Sequence, residues 1–210
     1  MKKLAIVLAV FSLVVGGVAT PALAGPYLSV NGGAVWVEDS DLSIDNLGNV
    51  AEFSYETGYV VSAALGNDFA NGLRAELEVP YRTNDIDELS IVGFDFGSID
   101  GEVSSWGAMV NVYFDLNTGS AFKPFIGAGV GIANVEFEIE GDSEDDNVFA
   151  YQFMAGFGYA LSKDVTLDLQ YRFYATDDPE FEVNDPDLGK ITFESEYMTH
   201  NVMAGLRFNF

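Results

Sequence analysis

Apolar and polar side chains alternate one for one along much of this chain, in eight separate segments. They run over residues 26–37, 53–66, 72–82, 103–116, 123–136, 148–161, 165–175 and 196–210. A period of two marks a β-strand with two unlike faces. In the seventh segment Val165, Leu167, Leu169, Tyr171 and Phe173 share one face, and Thr166, Asp168, Gln170 and Arg172 share the other. In the third, Leu73, Ala75, Leu77, Val79 and Tyr81 oppose Arg74, Glu76, Glu78, Pro80 and Arg82. In the fourth, Trp106, Ala108, Val110, Val112 and Phe114 oppose Gly107, Met109, Asn111, Tyr113 and Asp115. The fifth sets Ile126, Ala128, Val130 and Ile132 against glycines at 127, 129 and 131. The last closes on Leu206, Phe208 and Phe210, with Arg207 and Asn209 between them. Each segment is near or above the roughly 9–11 residues that a tilted strand needs to cross a bilayer.

The connections between segments sort by length. Short turns follow the second, fourth and sixth segments: Asn67–Asn71 before Gly72, Asn117–Ser120, and Ser162–Asp164. Asn-Gly and Thr-Gly supply positive φ cheaply, as tight turns require. Longer or strongly acidic connections follow the other segments. Turns on one side and loops on the other, with an even number of strands, is the pattern of an outer-membrane barrel.

The amino-terminus reads as an export signal. Lys2 and Lys3 precede an apolar run from Leu4 to Val15, and Ala22-Leu23-Ala24 offers small residues for cleavage. Residues 1–24 are expected to be removed, leaving 25–210 as a single barrel domain. No later run is long enough for a membrane helix, although 49% of the chain is hydrophobic. An exported chain of that kind is a soluble all-β domain or a barrel facing lipid.

Charge narrows the partners. The formal charge is −24, with 33 acidic against nine basic residues, and loss of Lys2 and Lys3 makes it more negative. Phosphate backbones need clustered Lys and Arg, so nucleic acid is not an expected partner. With no cysteine, disulfides and thiolate metal sites are excluded, and no cofactor is expected. The strand register turns Arg74, Arg82, Lys123, Arg172 and Arg207 away from lipid, together with Glu56, Glu76, Glu78, Asp115 and Asp168. These ten are expected to form a polar network filling a tube too narrow for more than side chains or one small ligand. Aromatic residues gather toward the strand ends: Trp36, Tyr59, Tyr81, Trp106, Tyr151, Phe173 and Tyr197 on the loop side. Phe69, Phe114, Tyr159, Phe208 and Phe210 lie on the turn side, so that two interfacial girdles are expected.

On these residues the chain resembles the small eight-stranded outer-membrane barrels of the OmpA-like and opacity-protein type, also called porin-like or surface-antigen barrels. The resemblance spans the whole mature chain. Gly205-Leu-Arg-Phe-Asn-Phe210 is similar to the carboxy-terminal signal read by the barrel-assembly machinery, with Met203 where that signal has a polar residue. The resemblance implies that Gly205, Phe208 and Phe210 serve assembly. It also implies a multi-pass barrel in the outer membrane, among lipid and lipopolysaccharide, read here as a monomer.

Segments 38–52, 83–102, 136–146 and 176–196 hold 26 of the 33 acids. Such loops are solvated, self-repelling surfaces, and weak divalent-cation binding is a second reading, best at 136–146. Alternation in 136–146 also suggests strands rising above the bilayer. Two other classes bear on the same chain. A lipid-modifying hydrolase would need His200 with Ser195 and Glu196, yet the register turns His200 to lipid. A soluble lipocalin-like carrier would invert the two faces, with leucines inside. The sequence therefore reads as an all-β, eight-stranded antiparallel up-and-down transmembrane β-barrel with an occluded polar lumen. A structural or surface-interaction role is expected, with a narrow pore for small solutes as the alternative.

Overall fold

The computed structural model describes residues 23–37, 40–44, 48–55, 57–69, 71–91, 94–95, 101–139, 142–177, 180–185, 189–194 and 197–210. The expected signal segment therefore lies almost wholly outside the described residues, as do Glu56, Ser195 and Glu196. The described chain is all strand: β1 Leu23–Val37, β2 Ser40–Ile44, β3 Gly48–Tyr55, β4 Gly58–Phe69, β5 Leu73–Ile91, β6 Phe94–Asp95 and β7 Gly101–Asp115. There follow β8 Phe122–Ile139, β9 Asp142–Ala160, β10 Val165–Thr176, β11 Glu180–Asp185, β12 Gly189–Glu194 and β13 Met198–Asn209.

Eight of these close a ring. Antiparallel pairing runs β1–β4–β5–β7–β8–β9–β10–β13, and β13 returns to β1 over Tyr27↔Asn209 to Val37↔Thr199. Closure leaves no free edge, the one sheet geometry that can sit in hydrocarbon. The remaining strands extend the sheet on the loop side, in the order β11-β12-β2-β3-β5, because β5 continues past the ring to Ile91. Strands β8 and β9 likewise rise together to Ile139↔Asp142. The described residues of the acidic segment 136–146 thus form the top of the β8–β9 ladder. Glu136 stands directly opposite Asp145 there, and Glu102 opposite Glu138. Like charges so placed repel, and Asn134 Nδ2 donates to Asp145 at 2.6 Å within the same patch.

Two boundaries differ from the pattern in the sequence. The second expected segment, 53–66, is two strands, because the pairing with β5 slips at Ser54/Tyr55 and a new strand starts at Gly58. Gly58 lies so close to the Thr83 carbonyl and the Asn84 side chain that no Cβ fits. At its far end β4 runs to Phe69, shortening the turn. Gly72 (φ 84°) and Gly119 (φ 70°) take left-handed backbone in the turns. Side chains fasten the same bends: Asn71 accepts from the Leu73 N–H at 3.2 Å, and Asn117 from the Gly119 N–H at 3.1 Å.

The faces settle inside from outside. Leu65, Leu77, Ile126, Phe153, Leu167, Leu169 and Leu206 are exposed on the outer wall, while Arg74, Glu78, Arg82, Arg172 and Arg207 are buried. A soluble carrier with leucines within is excluded. Among the aromatic residues, Trp36, Tyr59, Tyr81 and Trp106 face outward near the loop side, and Phe114, Tyr159 and Phe210 near the turn side. Tyr197 does not join the girdle. It shares the odd-numbered inward face of Thr199 and Asn201, is 1% exposed, and meets Tyr174 edge-on at 6.2 Å. Replacing outward Leu169 with Arg should cost about 2–4 kcal/mol at the midplane, read as a lowered urea midpoint of the folded protein in vesicles. An unchanged midpoint would place Leu169 off the lipid surface.

Candidate functional site in the barrel lumen

The lumen fills from the turn side in tiers, each set by the inward parity of its strand. At the turn side, Arg74 on β5 binds Asp115 on β7, with Nε to Oδ2 at 2.9 Å and Nη2 to Oδ1 at 3.0 Å. Arg207 on β13 grips Asp168 on neighbouring β10 through Nε and Nη2, both at 3.1 Å. Its Nη1 lies 3.7 Å from Asp115 and 4.0 Å from Asp68, joining both pairs into one cluster. Forked pairing of this kind fixes orientation as well as charge. The Arg74 guanidinium also lies 4.4 Å from the centre of the Tyr113 ring and 5.1 Å from that of Phe125.

The middle tier holds two carboxylates in different company. Glu76 accepts from the Tyr27 and Tyr113 hydroxyls and from Asn111 Nδ2, each at 3.1 Å, and from Ser29 at 3.4 Å. None of those donors is a cation. Glu78, 94 residues from Arg172 in sequence but adjacent to it in space, takes Arg172 Nη1 at 2.8 Å. It also accepts from Asn111 Nδ2 at 2.7 Å and Gln152 Nε2 at 3.1 Å. Gln152 in turn donates to Asn111 Oδ1 at 2.7 Å. Carboxylates stay buried only when their lone pairs are so met.

Space for these side chains comes from β8. A Cβ on Gly127 would meet the Tyr113 ring, on Gly129 the Asn111 and Gln152 side chains, and on Gly131 Met109. The glycine row is therefore the vacated wall against which the network leans. Above it, Arg82 stacks 3.5 Å from the centre of the Tyr174 ring. Val103, Met109, Ala133, Val135, Val148 and Ala150 pack around Tyr174 and Tyr197 as an apolar cluster at the loop-side end.

Of the ten residues expected inside, Arg74, Glu76, Glu78, Arg82, Asp168, Arg172 and Arg207 are buried there, and Asp115 is half-buried at the turn side. Lys123 is exposed instead, because as the second residue of β8 it reaches only the mouth. It lines a vestibule of about 580 Å³ with Asp68, Lys163 and Arg207. Glu56 lies outside the described residues. The residues that tie the charges together, Tyr27, Asn111, Tyr113 and Gln152, are neutral; Asn111 and Tyr113 share the inward parity of the fourth segment, which was their only signal. Among the described residues no three His, Asp or Glu gather as a metal site would require. His200 faces out, with Nδ1 2.5 Å from the Tyr171 hydroxyl and its ring beside Phe173. Gly205 faces in, where Asn31 and the Val30 carbonyl leave no room for a Cβ, while Phe208 and Phe210 end the outward face.

A closed ring with an apolar outer wall and an ion-paired filling is a membrane-spanning β-barrel. The chain belongs to the family described as outer membrane protein beta-barrel domain, whose model matches residues 5–210. An uncharacterised protein of Brucella abortus is 28% identical over 245 residues, covering 90% of this chain and 86% of that one. A Rickettsia conorii protein named as a candidate adhesin is 25% identical over 204 residues, covering 87% and 81%. The crystal structure of the outer membrane protein OprG from Pseudomonas aeruginosa shares the fold with a TM-score of 0.63 and 16% identity, over 90% of this chain and 98% of that one.

The Glu78–Arg172 pair yields a direct test of the filling. Arg172→Met leaves a buried carboxylate without its cation and should destabilise the barrel by about 3–5 kcal/mol. Adding Glu78→Gln should recover most of that loss. Equilibrium urea unfolding in vesicles measures both, and a cost below about 1 kcal/mol for the single variant would show the pair to be idle.

Proposed function

We propose that the protein is a cell-surface barrel whose work is done by the acidic strands and loops above the membrane, with the lumen serving as a fixed, closed support. The observation that carries this reading is the filled middle tier. Among the described residues the cavity inside it, bounded by Ser29, Arg74, Glu76, Tyr113, Asp168 and Gln170, measures about 10 Å³. That is at most the space of one water. The vestibule at the turn side is lined by Arg207 and Asp115, members of the ion-paired tier above it. The narrow-pore alternative is not favoured for the same reason.

A surface role also agrees with the adhesin naming of the Rickettsia conorii relative. A hydrolase reading finds no support at His200, whose imidazole is engaged by Tyr171 on the outer wall. In this proposal the signal is cleaved after Ala24 and the barrel, a monomer, sits among lipid and lipopolysaccharide. Gly205, Phe208 and Phe210 are read by the assembly machinery, and the loop acids attract divalent cations weakly.

Two measurements test the proposal. Purified protein in planar bilayers should give no unitary current steps, and regular steps would restore the pore reading. Bacteria displaying the full chain should adhere to a basic peptide-coated surface at low salt. Changing the seven acids of 136–146 to Asn and Gln should lower that adhesion several-fold, and equal adhesion would remove this segment from the role.

A further inference from the structure

Above the paired carboxylates the lumen holds two arginines whose needs are not met. Arg82 is 0% exposed, and none of its Nε, Nη1 and Nη2 atoms has a hydrogen-bond partner. Arg172, equally buried, gives Nη1 to Glu78 and leaves Nε and Nη2 without partners. A guanidinium nitrogen can only donate. Arg82 therefore lacks an acceptor at every nitrogen, and Arg172 at two.

Among the described residues no carboxylate pairs with Arg82. Tyr174, on β10 like Arg172, carries Arg82 of β5 at 3.5 Å from its ring centre without offering a lone pair to the N–H groups. Glu78 is committed to Arg172, Asn111 and Gln152. Glu76 is wrapped by Tyr27, Ser29, Asn111 and Tyr113. Among the described residues Arg82 is thus a guanidinium with no carboxylate of its own, held in a low-dielectric space. Nearby hydroxyls are also unsatisfied: Ser105 Oγ, on the residue paired with Arg82 across β5 and β7, and the Tyr174 hydroxyl and Thr176 Oγ1 on the inward face of β10. Buried polar groups left in this state call for a bound ion or water, and only an anion also answers the charge.

We propose that this tier is a binding site for a small anion of the halide class, held by Arg82 and Arg172 with the Ser105 hydroxyl as a further donor. The size follows from the walls. Val60, paired with Arg82 across β4 and β5, and Tyr174, stacked on it, are both fully buried, so a monatomic ion suits the site better than an organic solute. The ion neutralises Arg82 and ties β5, β7 and β10 together at the loop-side end of the barrel. A ligand that binds only the folded state raises its stability by mass action.

The test uses the folded, full-length mature protein in detergent. Its Tm should rise and then saturate as sodium chloride replaces sodium isethionate at constant ionic strength, and chloride-35 resonance lines should broaden in its presence. In Arg82→Met both effects should vanish while the heat-modified gel shift of the folded barrel persists. A wild-type Tm indifferent to the exchange of anions would overturn the site, and so would a chloride response that survives in Arg82→Met. Should Arg82→Met fail to fold, Arg82→Lys is read in its place. A chloride titration shifted about tenfold to higher concentration supports the site, and an unshifted one overturns it.

Discussion

Hydrocarbon offers a backbone no hydrogen bonds, and the rest of the structure answers that constraint. Every peptide group at membrane depth must find its partner within the chain, so the strands close on themselves. Once the ring from β1 to β13 is closed, each strand has one face for lipid and one for the interior. A tube of eight strands is too narrow to hold bulk water around charges. Whatever polar side chains turn inward must then satisfy one another. The Arg74–Asp115 and Arg207–Asp168 pairs, and the amides that bridge Glu76 to Glu78, are the result.

The interior is divided in kind as well as in height. Near the turns, cations and anions meet in forked pairs and share Asp115. At mid-height, neutral donors surround Glu76 and an ion pair holds Glu78. Toward the loops, polar contacts give way to Val103, Val135, Val148 and the Tyr174–Tyr197 pair. The glycines of β8 let the Asn111 and Tyr113 side chains of neighbouring β7 lean over that wall, so the filling is lopsided, with one wall bare of side chains. That lopsidedness closes the tube, and it directs functional interest to the acidic strands above the bilayer.

Much of this was legible in the chain, because a strand's period of two leaves no freedom once one residue's direction is known. Leu169 outward fixes Asp168, Gln170 and Arg172 inward, and the structure keeps that parity. The same rule would have turned Tyr197 inward with Thr199, had parity been weighed above the tendency of aromatic residues to collect near interfaces. Other features had no local signal. Which carboxylate meets which arginine depends on the stagger between strands distant in sequence, as with Glu78 and Arg172. The split at Gly58 arises from a slip in pairing with β5, which no alternation within 53–66 records. Lys123 has the inward parity, but its place at the second residue of β8 decides that it stays exposed.

One detail of β5 bears on how the wall comes apart. Its ladder with β7 passes from Glu78↔Met109 directly to Tyr81↔Trp106, since Pro80 has no N–H to give. Among the described ring ladders this is the one interruption away from a strand end. Gly107 and Ala108 therefore lean on β8 alone. Separation of β5 from β7 therefore has fewer rungs to break at that seam than on either side of it.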